Sequence, residues 1–362
     1  MKLLYGLLVF GIVAIVANFL GWNPLIIFVT SGLAMIPLAG LMGEATEALA
    51  THTGPRLGGL LNATLGNAAE LIITIVAIRE GVVNPAIRDQ LLELVRASLT
   101  GSILGNILLV LGFSILLGGL KNGVQRFDRS HAGINSTMLM LAVAALVIPS
   151  IFGHSIDLVN HQAVEYLSLG VAGVMIGLYL LALIYQFRNP ATATLQDHGL
   201  KDRKLKAPHW SVPLSLAVLL LATASIAWMS EILVGSVEHV VSQIGISEFF
   251  LGIIIIPIIG NVAEHLVAVR VARKNQMELS LAISVGSSLQ IALFVAPLLV
   301  FVSLLMGNPL TLIFNQFELI ALMAAVLIGG LVSLDGESNW LEGAMLLAIY
   351  LIIALAFFWL PT

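Results

Sequence analysis

The sequence predicts an all-α polytopic membrane protein of about eleven transmembrane helices, built as two inverted five-helix repeats behind an extra N-terminal helix. Three observations carry that expectation. The chain is 59% hydrophobic and 10% charged, against roughly 45–50% and 25% in soluble domains, and its mean hydropathy is +1.04. Apolar runs of about 20 residues, enough to cross a bilayer as a helix, recur between Gly, Pro, Asn and charged residues along nearly the whole chain. The pattern Gly-Asn-x-Ala-Glu occurs twice, at Gly66-Asn67-Ala-Ala-Glu70 and at Gly260-Asn261-Val-Ala-Glu264, an offset of 260 − 66 = 194 positions.

The apolar runs place helices near residues 3–20, 25–50, 57–78, 86–118, 131–151, 162–187, 212–236, 247–272, 277–306, 314–333 and 340–360. The first could pass for a signal peptide, but no small-residue cleavage site followed by a soluble segment accompanies it, so it reads as a span. Of the 16 Lys and Arg residues, all but Arg79, Arg88 and Arg96 fall on one face of this arrangement. The positive-inside rule makes that face cytoplasmic, with the N-terminus inside.

The longest polar break runs from Phe187 to Trp210 and carries Pro190 and Pro208. It divides the chain into an N-terminal helix (1–22), a first repeat of helices two to six (23–187), a cytoplasmic linker (188–210) and a second repeat of helices seven to eleven (211–362). Five is odd, so the halves have opposite orientations, as in many secondary transporters that bind substrate near the midplane. Two further matches keep the same order. Gly101-Ser102 in helix four pairs with Gly286-Ser287 in helix nine, an offset of 286 − 101 = 185, and Glu47-Ala-Leu pairs with Glu231-Ile-Leu, an offset of 231 − 47 = 184.

Composition removes several function classes. There is no cysteine, which excludes disulfides, thiolate metal sites and Cys nucleophiles. A net charge of −4 without a basic, aromatic-interleaved patch gives no sign of nucleic-acid binding.

The chemistry sits in the two Glu motifs. A carboxylate at bilayer depth costs several kcal/mol unless it is paired or ligated, so Glu70 and Glu264 are site residues by default. Gly66 and Gly260 weaken their helices, Pro257 removes a backbone hydrogen bond, and irregular backbone at that depth is expected only where it is buried or lines a polar cavity. Carbonyls freed there, with Thr64, Asn67, Asn261 and the midplane amides Asn106 and Gln290, make an all-oxygen site that suits a hard cation such as Ca²⁺. His265 points about 100° from Glu264 on a helix and is a poor ligand candidate. Gly101, Ser102, Gly286 and Ser287 suit close helix packing as well as they suit a site. Glu47 near the cytoplasmic end of its helix and Glu231 near the outer end of its own fit two access vestibules or two solvated ends, with Glu44 intermediate. Two protons carry the same charge as one divalent ion, so a buried carboxylate pair is close to neutral with either load.

These motifs, with Gly286-Ser-Ser-Leu-Gln290 and Gly101-Ser-Ile-Leu-Gly-Asn106, resemble the repeats of the Ca²⁺/H⁺ antiporter branch of the cation/Ca²⁺ exchanger superfamily. The resemblance covers Pro24 to Trp359. It implies Glu70 and Glu264 as shared Ca²⁺ and proton sites, helices two and seven as a sliding gate, and Glu44, Glu47 and Glu231 on the access paths. It further implies a transporter without a cofactor, Ca²⁺ and H⁺ as substrates, a prokaryotic plasma membrane, and an architecture compatible with a homo-oligomer. The Na⁺-coupled branch typically carries Gly-Thr-Ser-x-Pro-Glu and more acids, where this chain has Gly-Asn-x-Ala-Glu. Its rivals as readings are a Na⁺-coupled exchanger, a membrane-embedded metalloenzyme using Glu264 and His265, and a passive channel. No His-Glu-x-x-His motif supports the enzyme.

Overall fold

The computed structural model describes residues 4–157, 160–188 and 210–360. The expected linker 188–210 therefore lies almost wholly outside the described residues. Within them the helical segments are α1 (Tyr5–Phe19), α2 (Pro24–Leu65), α3 (Ala68–Val83), α4 (Pro85–Asn122), α5 (Arg129–Asp157), α6 (His161–Arg188), α7 (Val212–Ile244), α8 (Glu248–Ala272), α9 (Met277–Leu305), α10 (Gln316–Val332) and α11 (Trp340–Phe358). Among the described residues, 8 helices are long and apolar enough to cross a membrane, including the stretch Pro24–Thr53 of α2. Of the rest, α1 and α10 are apolar but shorter, and α3 carries Glu70, Arg79 and Glu80. The protein is an integral, multi-pass membrane protein.

The count of helices agrees with the sequence, but one boundary does not. A loop was expected between residues 50 and 57, where Thr51-His52-Thr53-Gly54-Pro55-Arg56 is polar and contains a Gly-Pro pair. Instead α2 runs unbroken for 42 residues, about 63 Å at 1.5 Å per residue, and the chain turns at Gly66-Asn67. A proline removes one N–H and costs a helix about 3 kcal/mol, which the helix on either side can absorb. The turn moves to the Gly-Asn pair, both residues of which are at home outside helices. A second expectation is corrected at Gly260. The helix is continuous across it, and the irregularity lies upstream as a π turn at Leu251–Ile255, just ahead of Pro257.

The chain folds as two compact units, each drawing on both halves of the sequence. The first holds α1, α2 and the start of α3, the last turns of α6, all of α7, and the short stretch Ile259–Ala263. Here α2 packs along α7. Gly32 marks the close approach, since a Cβ there would stand 2.8 Å from Ile259 Cδ1. The hydroxyls of Thr30 and Ser31 donate to Ile26 and Ile27 carbonyls at 2.6 and 2.8 Å, so these polar residues are satisfied within their own helix.

The second unit holds Ala77–Ile176, Ile246–Ile258 and Glu264–Thr362. In it α4 and α9 share a feature the sequence did not announce: each contains a π turn, at Gly105–Val110 and at Ile291–Val295. The turns begin four residues after Gly101 and five after Gly286, so the internal duplication extends, within a residue, to a backbone irregularity. The first half of each helix packs on the other's π turn, and the first half of α9 also meets the second half of α4. The two helices therefore cross antiparallel near their π turns, as inverted repeats require. Between α9 and α10 the chain is extended and buried. Its amides at Leu310, Leu312 and Phe314 donate to Ser303, Ser168 and Ser150 hydroxyls at 2.8, 3.1 and 3.0 Å, which meets the demand that buried backbone donors find partners.

Tight backbone contacts hold this unit together, as expected where lipid removes any hydrophobic drive between helices. Pro257 offers no N–H, so the carbonyl four residues back, at Ile253, lacks its α-helical donor. A Cβ on Gly101 would overlap that carbonyl, so Gly101 serves packing, making room on α4 for the backbone that Pro257 disturbs on α8. Gly101→Ala is accordingly expected to destabilise the protein by about 1–3 kcal/mol, the range for overpacking. Gly177→Ala, with no described atom within 4 Å of its Cβ, should stay within about 0.5 kcal/mol. Thermal midpoints in detergent would separate the two; equal midpoints would contradict the assigned contact.

Candidate cation-binding site

The two Glu motifs start from the same five-residue pattern and reach different local structures. In the first, α2 ends at Leu65, Gly66 and Asn67 turn, and α3 starts at Ala68 with Glu70 in its first turn. The Asn67 carbonyl accepts from Leu71 N–H at 3.1 Å, which closes the first turn of α3. A helix N-terminus favours negative charge nearby, so this break places Glu70 where the backbone itself supports a carboxylate. In the second motif Gly260, Asn261 and Glu264 all lie within continuous helix. Glu264 receives no such support from a helix end.

Glu70 and Asn67 are buried, at 2% and 1% exposure. Within the first unit, the carboxylate of Glu70 lies against Gly260: a Cβ at Gly260 would be 2.9 Å from Glu70 Oε1. The motif glycine of the second half therefore makes room for the motif acid of the first. Asn261 is buried at 1% exposure in the same unit. Thr64 is half-buried and donates its hydroxyl to the Leu61 carbonyl at 3.2 Å. Thr74 donates to the Glu70 carbonyl at 2.8 Å, which ties off the turn below the acid.

Glu264 belongs to the second unit and is half-buried. There Asn106 stands within the π turn of α4 and Gln290 immediately before that of α9. Asn106 is 1% exposed, and its Nδ2 has no hydrogen-bond partner among the described residues. Single π turns inside α-helices frequently mark functional sites, and of the two midplane amides Asn106 falls within one and Gln290 directly precedes another. Pro257 is buried at the start of the α-helical part of α8.

The expected access-path acids are also placed. Glu44 is half-buried on α2 and accepts the Tyr5 hydroxyl of α1 at 2.6 Å, and Glu47 is half-buried one turn further on. Glu231 is exposed. It was expected near the end of a helix closing at 236, but α7 continues to Ile244, so it lies well inside the helix. Sequence reasoning passed over Glu318, which is 2% exposed and accepts from the Thr100 hydroxyl of α4 at 2.8 Å and from Asn315 N–H at 2.8 Å. The spacing Asn315-x-x-Glu318 is the capping-box signature that could have found it, and the box is formed.

The profile of the sodium/calcium exchanger protein family matches residues 23–188 and 214–359. The chain belongs to that family. It is 43% identical over 368 residues to a Ca²⁺/H⁺ antiporter of Aphanothece halophytica, spanning 99% of this chain and 96% of that one. It is 42% identical to the Ca²⁺/H⁺ antiporter ChaA of Bacillus subtilis, over 95% of each. Among solved structures it is similar to the Ca²⁺/H⁺ antiporter protein YfkE, with a TM-score of 0.83 and 39% identity, covering 99% of this chain and 100% of that one. For this exchanger-family chain the Gly260 contact yields a direct test. Gly260→Ala is expected to push the Glu70 carboxylate aside and to weaken Ca²⁺ binding at least tenfold, measured by calorimetry on the purified protein. Unchanged affinity would mean that the position of that carboxylate does not matter to the cation.

Proposed function

We propose that the protein is a secondary active transporter that exchanges cytoplasmic Ca²⁺ for external H⁺ by alternating access, with Glu70 and Glu264 taking either load. The observation that carries the reading is the burial of Glu70 against Gly260, which sets the acid of one motif beside the glycine of the other. Its 42–43% identical relatives are Ca²⁺/H⁺ antiporters, which supports Ca²⁺ and H⁺ as the exchanged ions. Such a protein moves ions and makes no covalent change in them, so it is not an enzyme and needs no cofactor.

In this reading the cation is held by oxygens alone. Among the described residues no group of three His, Asp or Glu side chains could hold a metal ion, so a cation here draws on Thr64, Asn67, Asn261, Asn106, Gln290, main-chain carbonyls and water beside the two carboxylates. Six to eight oxygens in flexible geometry is what Ca²⁺ takes. An unloaded, doubly ionised pair would face a desolvation cost of several kcal/mol per ion. Conformational exchange is then rapid only when the pair carries Ca²⁺ or protons, which couples the two fluxes and prevents leak.

The assignment of moving parts follows the two units. Helices α2 and α7 lie together in one unit, as a gate formed from equivalent helices of the two repeats (23–187 and 211–362) would. Glu44, Glu47 and Glu231 line its approaches. The N-terminus and the linker 188–210 lie on the cytoplasmic side of a bacterial plasma membrane. Reconstituted in liposomes, the protein should move ⁴⁵Ca²⁺ under an imposed pH gradient without Na⁺, and Glu70→Gln or Glu264→Gln should reduce that flux to background. Transport that persists in both variants would remove the site assignment, and flux that requires a Na⁺ gradient would replace H⁺ as the counter-ion.

A further inference from the structure

Two lines of small polar side chains lead to the π turns of the second unit. On α4 they are Ser98, Ser102 and Asn106, and on α9 Ser280, Ser284 and Ser288, each four residues apart and so on one face of its helix. All six are buried, with exposures of 2, 2, 1, 0, 1 and 0%. A serine in a membrane helix ordinarily donates to a carbonyl one turn back, as Ser288 does to Ser284 at 3.1 Å. The hydroxyls of Ser98, Ser280 and Ser284 and the Nδ2 of Asn106 make no hydrogen bond among the described residues. A buried polar group left so costs about 1–3 kcal/mol, and ordered water is the usual remedy where the surroundings are polar.

The two lines approach from opposite ends. Because α4 and α9 cross antiparallel near their π turns, Ser98 lies toward the end where Arg88 donates to Asn308 at 2.6 Å. Ser280 lies toward the end where Gln125 donates to Asn275 at 3.0 Å. Both lines finish at the crossing, where Asn106 and Gln290 stand. We infer that these hydroxyls hold water in two files, one from each side of the membrane, each of which carries protons to the crossing only in the conformation open to its own side. In each hop an oxygen takes a proton on a lone pair and releases its own onward, so one O–H bond forms as another breaks and no side chain gains charge. The hydroxyls are positioning groups for the water and need bind no Ca²⁺.

The inference rests on the proposed proton exchange, and its test separates the two. Wild-type protein in liposomes is assayed for pH-gradient-driven ⁴⁵Ca²⁺ uptake and for Ca²⁺/Ca²⁺ exchange at equal pH, which uses the cation site and the conformational change but moves no protons. Ser98→Ala and Ser284→Ala are expected to slow the driven uptake about tenfold and to change Ca²⁺/Ca²⁺ exchange by less than twofold, with Ser284→Thr restoring uptake by returning the hydroxyl. Equal loss in both assays would show a structural role and overturn the inference, as would no loss in either or a threonine that fails to restore. Wild-type protein that shows Ca²⁺/Ca²⁺ exchange but no pH-driven uptake would instead sink the proton-exchange reading before any variant is compared.

Discussion

A carboxylate shut away from water can be stable only when something cancels its charge, and much of this protein is arranged around that constraint. Glu70 is 2% exposed. The chain ends a 42-residue helix just before it, setting the acid in the first turn of a new helix, whose N-terminus favours negative charge. It leaves the Cβ off Gly260, so that the carboxylate has room. Neither feature is needed to fill a membrane with apolar helices. Both follow if the acid must be reached by a small positive load and released from it again.

The duplication supplies the two-fold logic, and the departures from symmetry supply the function. The π turns in α4 and α9 each lie beside a side-chain amide, Asn106 within the first and Gln290 directly before the second. The Glu motifs, identical in four of five positions, diverge: a turn at Gly66-Asn67, unbroken helix at Gly260-Asn261. Pro257 accounts for part of this difference. It gives α8 its irregular segment one turn earlier, at Leu251–Ile255, and Gly101 accommodates the result. One repeat turns just before its acid and the other carries its irregular segment further upstream, so two copies of one motif sit in unlike backbone environments.

Much of this was legible in the chain. Membrane insertion, eleven helices, the repeat and the acids all follow from apolar run length, the 194-residue motif offset and the cost of a buried charge. The division into units was not, because α2 and α7 find each other only through packing that no local pattern records. The π turns were illegible for a related reason: one extra residue in a turn leaves the hydrophobic pattern almost unchanged. Gly54-Pro55 misled because the propensity penalty of a single proline was weighed above the continuity of a long helix. Glu318 was readable from its capping spacing, Asn315-x-x-Glu318, but that pattern marks only a helix start. Its contact with Thr100 depends on a tertiary approach between α4 and α10.

The measurement that bears most directly on the central constraint is proton release on cation binding. Purified protein in weakly buffered detergent solution, at a pH where the site is protonated, is mixed with Ca²⁺ and followed with a pH indicator. If the buried acids must always carry a compensating charge, Ca²⁺ binding expels protons, and the release is lost in the variant carrying both Glu70→Gln and Glu264→Gln. Ca²⁺ that binds to the wild-type site and releases no proton at any pH would contradict the account.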